Sequence, residues 1–131
     1  MTDAKNSTIL VVDDEPFILK VISGILEREG YNVVVACSGE LALTLLGSFS
    51  ISLVLTDMRM PGMDGVQLAQ AILKRCPELP VLFVSGRCDL IPPEINCGYI
   101  PKPFSSNDLV SRVAEYLNRP QNQVGGATGS W

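Results

Sequence analysis

The sequence predicts an α/β domain, a single doubly wound, parallel five-stranded sheet with helices on both faces. Three observations predict it. Short, unbroken apolar runs rich in Val, Ile and Leu recur along the chain and lack the polar alternation of a half-solvated strand. Between them the apolar period changes to that of amphipathic helices, so strand and helix alternate. The length of 131 residues is that of one ordinary domain, enough to bury one core without metal or disulfide staples.

The elements follow in order. The runs Ile9 to Val12, Val33 to Cys37, Ile51 to Leu55 and Val81 to Val84, with a weaker one at Tyr99 and Ile100, are the five predicted strands. Phe17, Ile18, Val21, Ile22, Ile25 and Leu26 form the stripe of a first helix that Pro16 starts and Gly30 ends. Further stripes lie at Leu41, Ala42, Leu45 and Leu46, at Val66, Ala69, Ile72 and Leu73, and at Leu109, Val110, Val113, Tyr116 and Leu117. Ser38 and Ser105 stand where N-caps are expected. Crossovers in such a sheet are right-handed, and its ligands bind at the carboxyl ends of the strands. Residues 1–7 read as a disordered lead, 8–118 as the domain, and 119–131, which are polar, as a flexible tail or linker.

Composition excludes several classes. With 47% hydrophobic and 18% charged residues, no bilayer-length apolar run and a polar N-terminus without a secretory signal, the chain is expected to be cytoplasmic and not membrane-bound. A net charge of -4 gives no basic footprint for direct nucleic-acid binding. Cys37, Cys76, Cys88 and Cys97 are widely spaced and read as reduced filler, since no histidine is present to complete a zinc site. The absence of histidine also removes histidine nucleophiles and any phosphohistidine role for this chain.

Chemistry concentrates in acidic residues at strand ends. Asp13 and Asp14 follow the first predicted strand and Asp57 the third. Taken singly, Asp13-Asp14 reads as a pair of helix-start acids and Asp57 as a turn residue. If the two strands are neighbours, three carboxylates converge, and a hard, oxygen-ligated cation relieves their repulsion; magnesium suits so few carboxylates best. Ser85 and Lys102 end the fourth and follow the fifth strand, adding a hydroxyl and an ammonium at the same edge. Carboxylate nucleophile, divalent ion, hydroxyl and lysine form the set that phosphoryl transfer needs. Singly, Ser85 reads as a strand-end cap and Lys102 as a solvated charge.

The blocks VVDDEP, LVLTDMRMPGMDG, VLFVSG and GYIPKPF resemble the receiver domains of two-component response regulators, over about residues 8 to 118. The resemblance implies the flavodoxin-like strand order 2-1-3-4-5 and hence the assumed adjacency. It implies that Asp57 is the phosphoacceptor, that Asp14 ligates Mg2+ directly and Asp13 largely through water, and that the Arg59 backbone carbonyl completes the protein ligands. Ser85 then resembles the switch hydroxyl, Lys102 the lysine paired with the phosphoryl group, and Tyr99 the aromatic whose rotamer reports phosphorylation; Tyr99 also reads as a half-buried strand tyrosine. Pro61, Gly62 and Gly65 match the family's shaped loop, where glycine provides backbone angles that other residues resist. The implied partner is a sensor histidine kinase or a histidine phosphotransfer domain, the implied protein a monomer or weak dimer that is a signalling phosphoacceptor rather than an enzyme acting on another substrate.

One segment departs from the pattern. Residues 86 to 98, with tandem Pro92 and Pro93, are too short for a full fourth family helix, which is expected to be shortened or degenerate. Arg59 and Arg87, two residues after Asp57 and Ser85, are either charge at the mouth of the site or solvated surface groups. The competing readings fit less well. A flavin carrier is disfavoured by the acidic DDEP loop, a P-loop enzyme by the lack of GxxxxGK[ST], and an aspartate-nucleophile phosphatase by Arg59 where a second aspartate belongs. A pseudo-receiver that keeps the fold without phosphorylation is disfavoured by the intact acidic set.

Overall fold

In the computed structural model the described residues are 7–85, 98–101 and 104–118. Among them the elements are β1 (Thr8–Val12), α1 (Pro16–Arg28), β2 (Asn32–Ala36), α2 (Gly39–Leu46), β3 (Leu53–Asp57), α3 (Gly65–Arg75), β4 (Val81–Ser85), β5 (Gly98–Pro101) and α4 (Ser106–Leu117). The strands form one parallel sheet in the order β2-β1-β3-β4-β5, the predicted topology. The segment expected to hold the shortened helix, with Pro92 and Pro93, lies outside the described residues.

Alternation along the strands divides the core in two. Ile9, Val11, Leu53, Leu55, Leu82 and Val84 pack with Leu19, Ile22, Ile25 and Leu26 of α1 and with Leu109 and Val113 of α4. Leu10, Val12, Val54, Val81 and Phe83 face the other way, against Ala42 of α2 and Leu68, Ala69 and Ile72 of α3. Among the described residues, two helices pack on each face of the sheet, as the continuous apolar runs required.

Local signals set the helix ends. Pro16 opens α1, where its missing N–H is no loss. Gly30 follows α1 with φ of 97°, a left-handed angle that glycine adopts freely, and its N–H donates to the Glu27 carbonyl. The Ser38 hydroxyl accepts from the Leu41 N–H at the start of α2, and Ser105 with Asp108 forms a capping box on α4. Asp64 and Gln67 form another on α3.

Several expectations are corrected. The third strand runs from Leu53 to Asp57, not from Ile51 to Leu55. Ile51 precedes the strand and packs against the edge of the core, so the apolar run overshoots the ladder at one end and stops short at the other. The second strand likewise starts one residue earlier and ends at Ala36. As an edge strand it is only partly covered: Val33 packs on one face and Val34 and Ala36 on the other, while Asn32 and Val35 are exposed. Phe17, Val21, Leu41 and Leu73, expected in buried stripes, are exposed, because each helix inserts only its narrow central stripe into the sheet. Cys37 is exposed rather than filling the interior, and Cys76 is half-buried. Cys88 and Cys97 lie outside the described residues.

Two measurements test this packing. Phe83, fully buried at the sheet centre, should lose about 3–5 kcal/mol of stability as Phe83→Ala in urea titration, whereas exposed Leu73→Ala should stay within about 0.5 kcal/mol. Burial of Tyr31 and the nearby Glu29 charge hold its hydroxyl above the ordinary value of 10.0. The folded state then keeps a proton that the unfolded chain releases. Stability should be intact below pH 10.0 and decline as pH rises above it, and Tyr31→Phe should flatten that decline.

Candidate functional site

The register of β1 on β3 places the acidic residues. Val12 pairs with Thr56, so Asp13, one step beyond β1, comes beside Asp57, the last residue of β3. Asp13 is held at its own main chain, its N–H donating to the Ala36 carbonyl at 3.1 Å. One carboxylate oxygen, Oδ1, accepts from the Glu15 N–H at 2.9 Å. The N-cap of α1 is Glu15, and neither Asp13 nor Asp14 caps the helix with its side chain.

Carboxylate oxygens of Asp13, Asp14 and Asp57 all lie within 4.8 Å of one another. Asp13 is 3% exposed, Asp57 half-buried and Asp14 exposed. Two unit charges about 4–5 Å apart repel by about 3–4 kcal/mol at an effective dielectric of about 20, less at the exposed Asp14. A divalent cation among the three carboxylates offsets such repulsion. The donors are hard oxygens, few in number and open to solvent on one side, which fits magnesium with part of its water shell retained.

The loop after β3 is tied to α3. The Gly65 N–H donates to the Met58 carbonyl at 2.9 Å. A Cβ at Gly65 would collide with the Asp57 carbonyl oxygen, so glycine is needed there for close approach and not, as expected, for an unusual angle. Gly62 does need the angle, with φ of 76°. Met63 fills the space that a side chain at Gly39 would occupy, which docks this loop onto the start of α2. Arg59 is exposed and lines a surface depression with Met58, Met60, Asp64 and Val66.

The fourth and fifth strands reach the same edge. Asp57 pairs with Val84, so Ser85 lies one position further along β4, opposite Pro101 of β5. Lys102, next after Pro101, and Arg87 lie outside the described residues. Tyr99 is a half-buried strand tyrosine in β5, packed against the α2–α3 side of the core, and its carbonyl accepts from Arg112 Nη1 at 3.0 Å. The structure thus brings Asp13, Asp14 and Asp57 together and aligns the backbone of Ser85 with them. Thr56 was missed by the sequence reading. It is fully buried and its hydroxyl donates to the Asp57 carbonyl at 2.9 Å. A lone hydroxyl residue in an apolar strand, immediately before Asp57, was the signal available.

Among the described residues no helix is long and apolar enough to cross a membrane. The sequence pattern of the response regulator receiver domain matches residues 9–114. The transcriptional regulatory protein CpxR of Escherichia coli (strain K12) is 36% identical over 116 residues, which cover 85% of this chain and 49% of CpxR. The chain thus spans about half the length of that curated relative. Among solved structures, a response regulator receiver domain protein from Clostridium thermocellum superposes with a TM-score of 0.79 at 33% identity, covering 86% of this chain and 94% of that one. The receiver domain of NtrX from Brucella abortus gives a TM-score of 0.76 at 32% identity, with 86% and 99% covered. With the family pattern spanning most of the chain and the same sheet beneath its acidic cluster, this protein belongs to the response regulator receiver domain family.

Proposed function

We propose that the domain accepts a phosphoryl group on Asp57 in a magnesium-dependent reaction and changes conformation to pass the signal on. The observation that carries this reading is the convergence of Asp13, Asp14 and Asp57 within 4.8 Å at the carboxyl edge of the sheet. A carboxylate oxygen of Asp57 attacks the phosphorus in line, and the bond from phosphorus to the donor nitrogen breaks. The nucleophile is already ionised, so no separate base takes part. Asp13, Asp14, Asp57 and the Arg59 carbonyl would hold the ion, which supplies neutralisation of charge on the phosphoryl oxygens when bound.

Ser85 and Lys102 extend the same proposal. Ser85 ends β4 one position beyond the partner of Asp57, and Lys102 directly follows β5, so a hydroxyl and an ammonium belong to the two strand ends next in the sheet. Their role is to bind the equatorial oxygens of the transferred group and stabilise charge as it spreads. Movement of Ser85 toward the phosphoryl group, coupled to Tyr99 on the neighbouring strand, is the proposed switch. The donor is a phosphohistidine on a sensor histidine kinase or a histidine phosphotransfer domain, since this chain holds no histidine of its own. The domain is in this reading a signalling phosphoacceptor that promotes its own phosphorylation and slow dephosphorylation.

Intact-mass measurement after incubation with a small acyl phosphate and Mg2+ tests the proposal. Wild type should gain one labile phosphoryl group, and the gain should vanish in Asp57→Asn and on chelation of the metal. Asp13→Asn should raise the Mg2+ concentration needed for half-maximal labelling by at least tenfold, the effect of about 1.4 kcal/mol. An unlabelled wild type would mean that the fold serves binding alone.

A further inference from the structure

We infer that Thr56 is a positioning residue for phosphoryl acceptance: its buried hydroxyl holds the main-chain carbonyl of Asp57 and so fixes the direction in which β3 presents the Asp57 carboxylate. The inference rests on Asp57 being the acceptor. Thr56 is 0% exposed, and its backbone lies between Val12 of β1 and Phe83 of β4. By strand alternation its side chain shares a face with Val54, on the side packed by Leu68, Ala69 and Ile72 of α3. Packing and strand propensity at such a place are met by valine, and a hydroxyl there carries a desolvation cost unless it is bonded.

The bond it makes is to the Asp57 carbonyl, at 2.9 Å. Gly65 at the start of α3 approaches that same oxygen so closely that there is no room for a Cβ. The next carbonyl along, that of Met58, accepts from the Gly65 N–H. Two successive peptide groups are therefore held, one by the Thr56 hydroxyl and one by the start of α3. The ladder to β1 ends at Thr56 and that to β4 at Asp57 itself, paired with Val84. The Thr56 hydroxyl holds the next group along, the Asp57 carbonyl, at the end of the strand. The Cα–Cβ bond of Asp57 is fixed by these two restraints together, and reactivity in phosphoryl transfer depends on such alignment.

Three variants test this: Thr56→Val, which keeps the shape without the hydroxyl; Thr56→Ala, which removes both; and Thr56→Ser, which keeps the hydroxyl alone. Labelling of Asp57 is timed with a small acyl phosphate at saturating Mg2+, with thermal unfolding measured alongside. Thr56→Val and Thr56→Ala should label about fivefold more slowly, the effect of one net hydrogen bond, while Thr56→Ser keeps the wild-type rate. Labelling of Thr56→Val at the wild-type rate, whatever its thermal stability, overturns the inference, and so does a Thr56→Ser rate as low as that of Thr56→Val. A wild type that takes no label at all overturns the acceptor reading instead, and this inference with it.

Discussion

The parallel register of β1 on β3 is the constraint on which the rest depends. Pairing Val12 with Thr56 brings Asp13 up to Asp57 and carries Asp14 with it. A shift by one residue would turn each inward side chain of β1 to the other face of the sheet and separate the two apolar clusters from their helices. The core therefore enforces the register, and the register enforces the crowding of charge. The carboxylates do not gather because they attract; Ile9, Leu10, Val11 and Val12, all buried, oblige them to.

Stored repulsion of this kind suits a site that works by binding cations and phosphoryl groups. In the proposed reaction an edge already arranged for positive charge needs little reorganisation. The surrounding loops limit how far the acids could relax. Gly65 lets α3 begin directly against the Asp57 carbonyl, Gly62 supplies the left-handed turn, and Met63 wedges into the space left by Gly39. Such close fits transmit displacement, since packed contacts resist compression. The loop after Asp57 is thus packed against the starts of both α2 and α3.

Much of this was legible in the sequence, and the exceptions have physical reasons. Buried central strands announce themselves by apolar runs, so β1 and β4 were found to within a residue at either end. The end of β3 was misplaced because Thr56 and Asp57 are polar yet still paired, the first buried by satisfying its hydroxyl and the second sitting at the rim. The exposure of Val35 followed from β2 being an edge strand, which only the strand order decides. Phe17 and Val21 lie on the apolar side of α1 by periodicity but outside the stripe that meets the sheet. At the site, Asp13, Asp14 and Asp57 were each ambiguous alone. Their meeting is a property of topology, which the four-block resemblance supplied and spacing alone did not. The close approach at Gly65 and the bond from Thr56 depend on distances between particular atoms, which residue type and position do not encode.

Whether the crowded carboxylates form one cation site is read from a Mg2+ titration followed by backbone amide NMR. Saturable shifts are expected, centred on Asp13, Asp14, Asp57, Met58 and Arg59 and reduced when Asp13 is replaced by Asn. Shifts that fail to saturate, or that scatter over the acidic surface without a centre at the ends of β1 and β3, would contradict a single site.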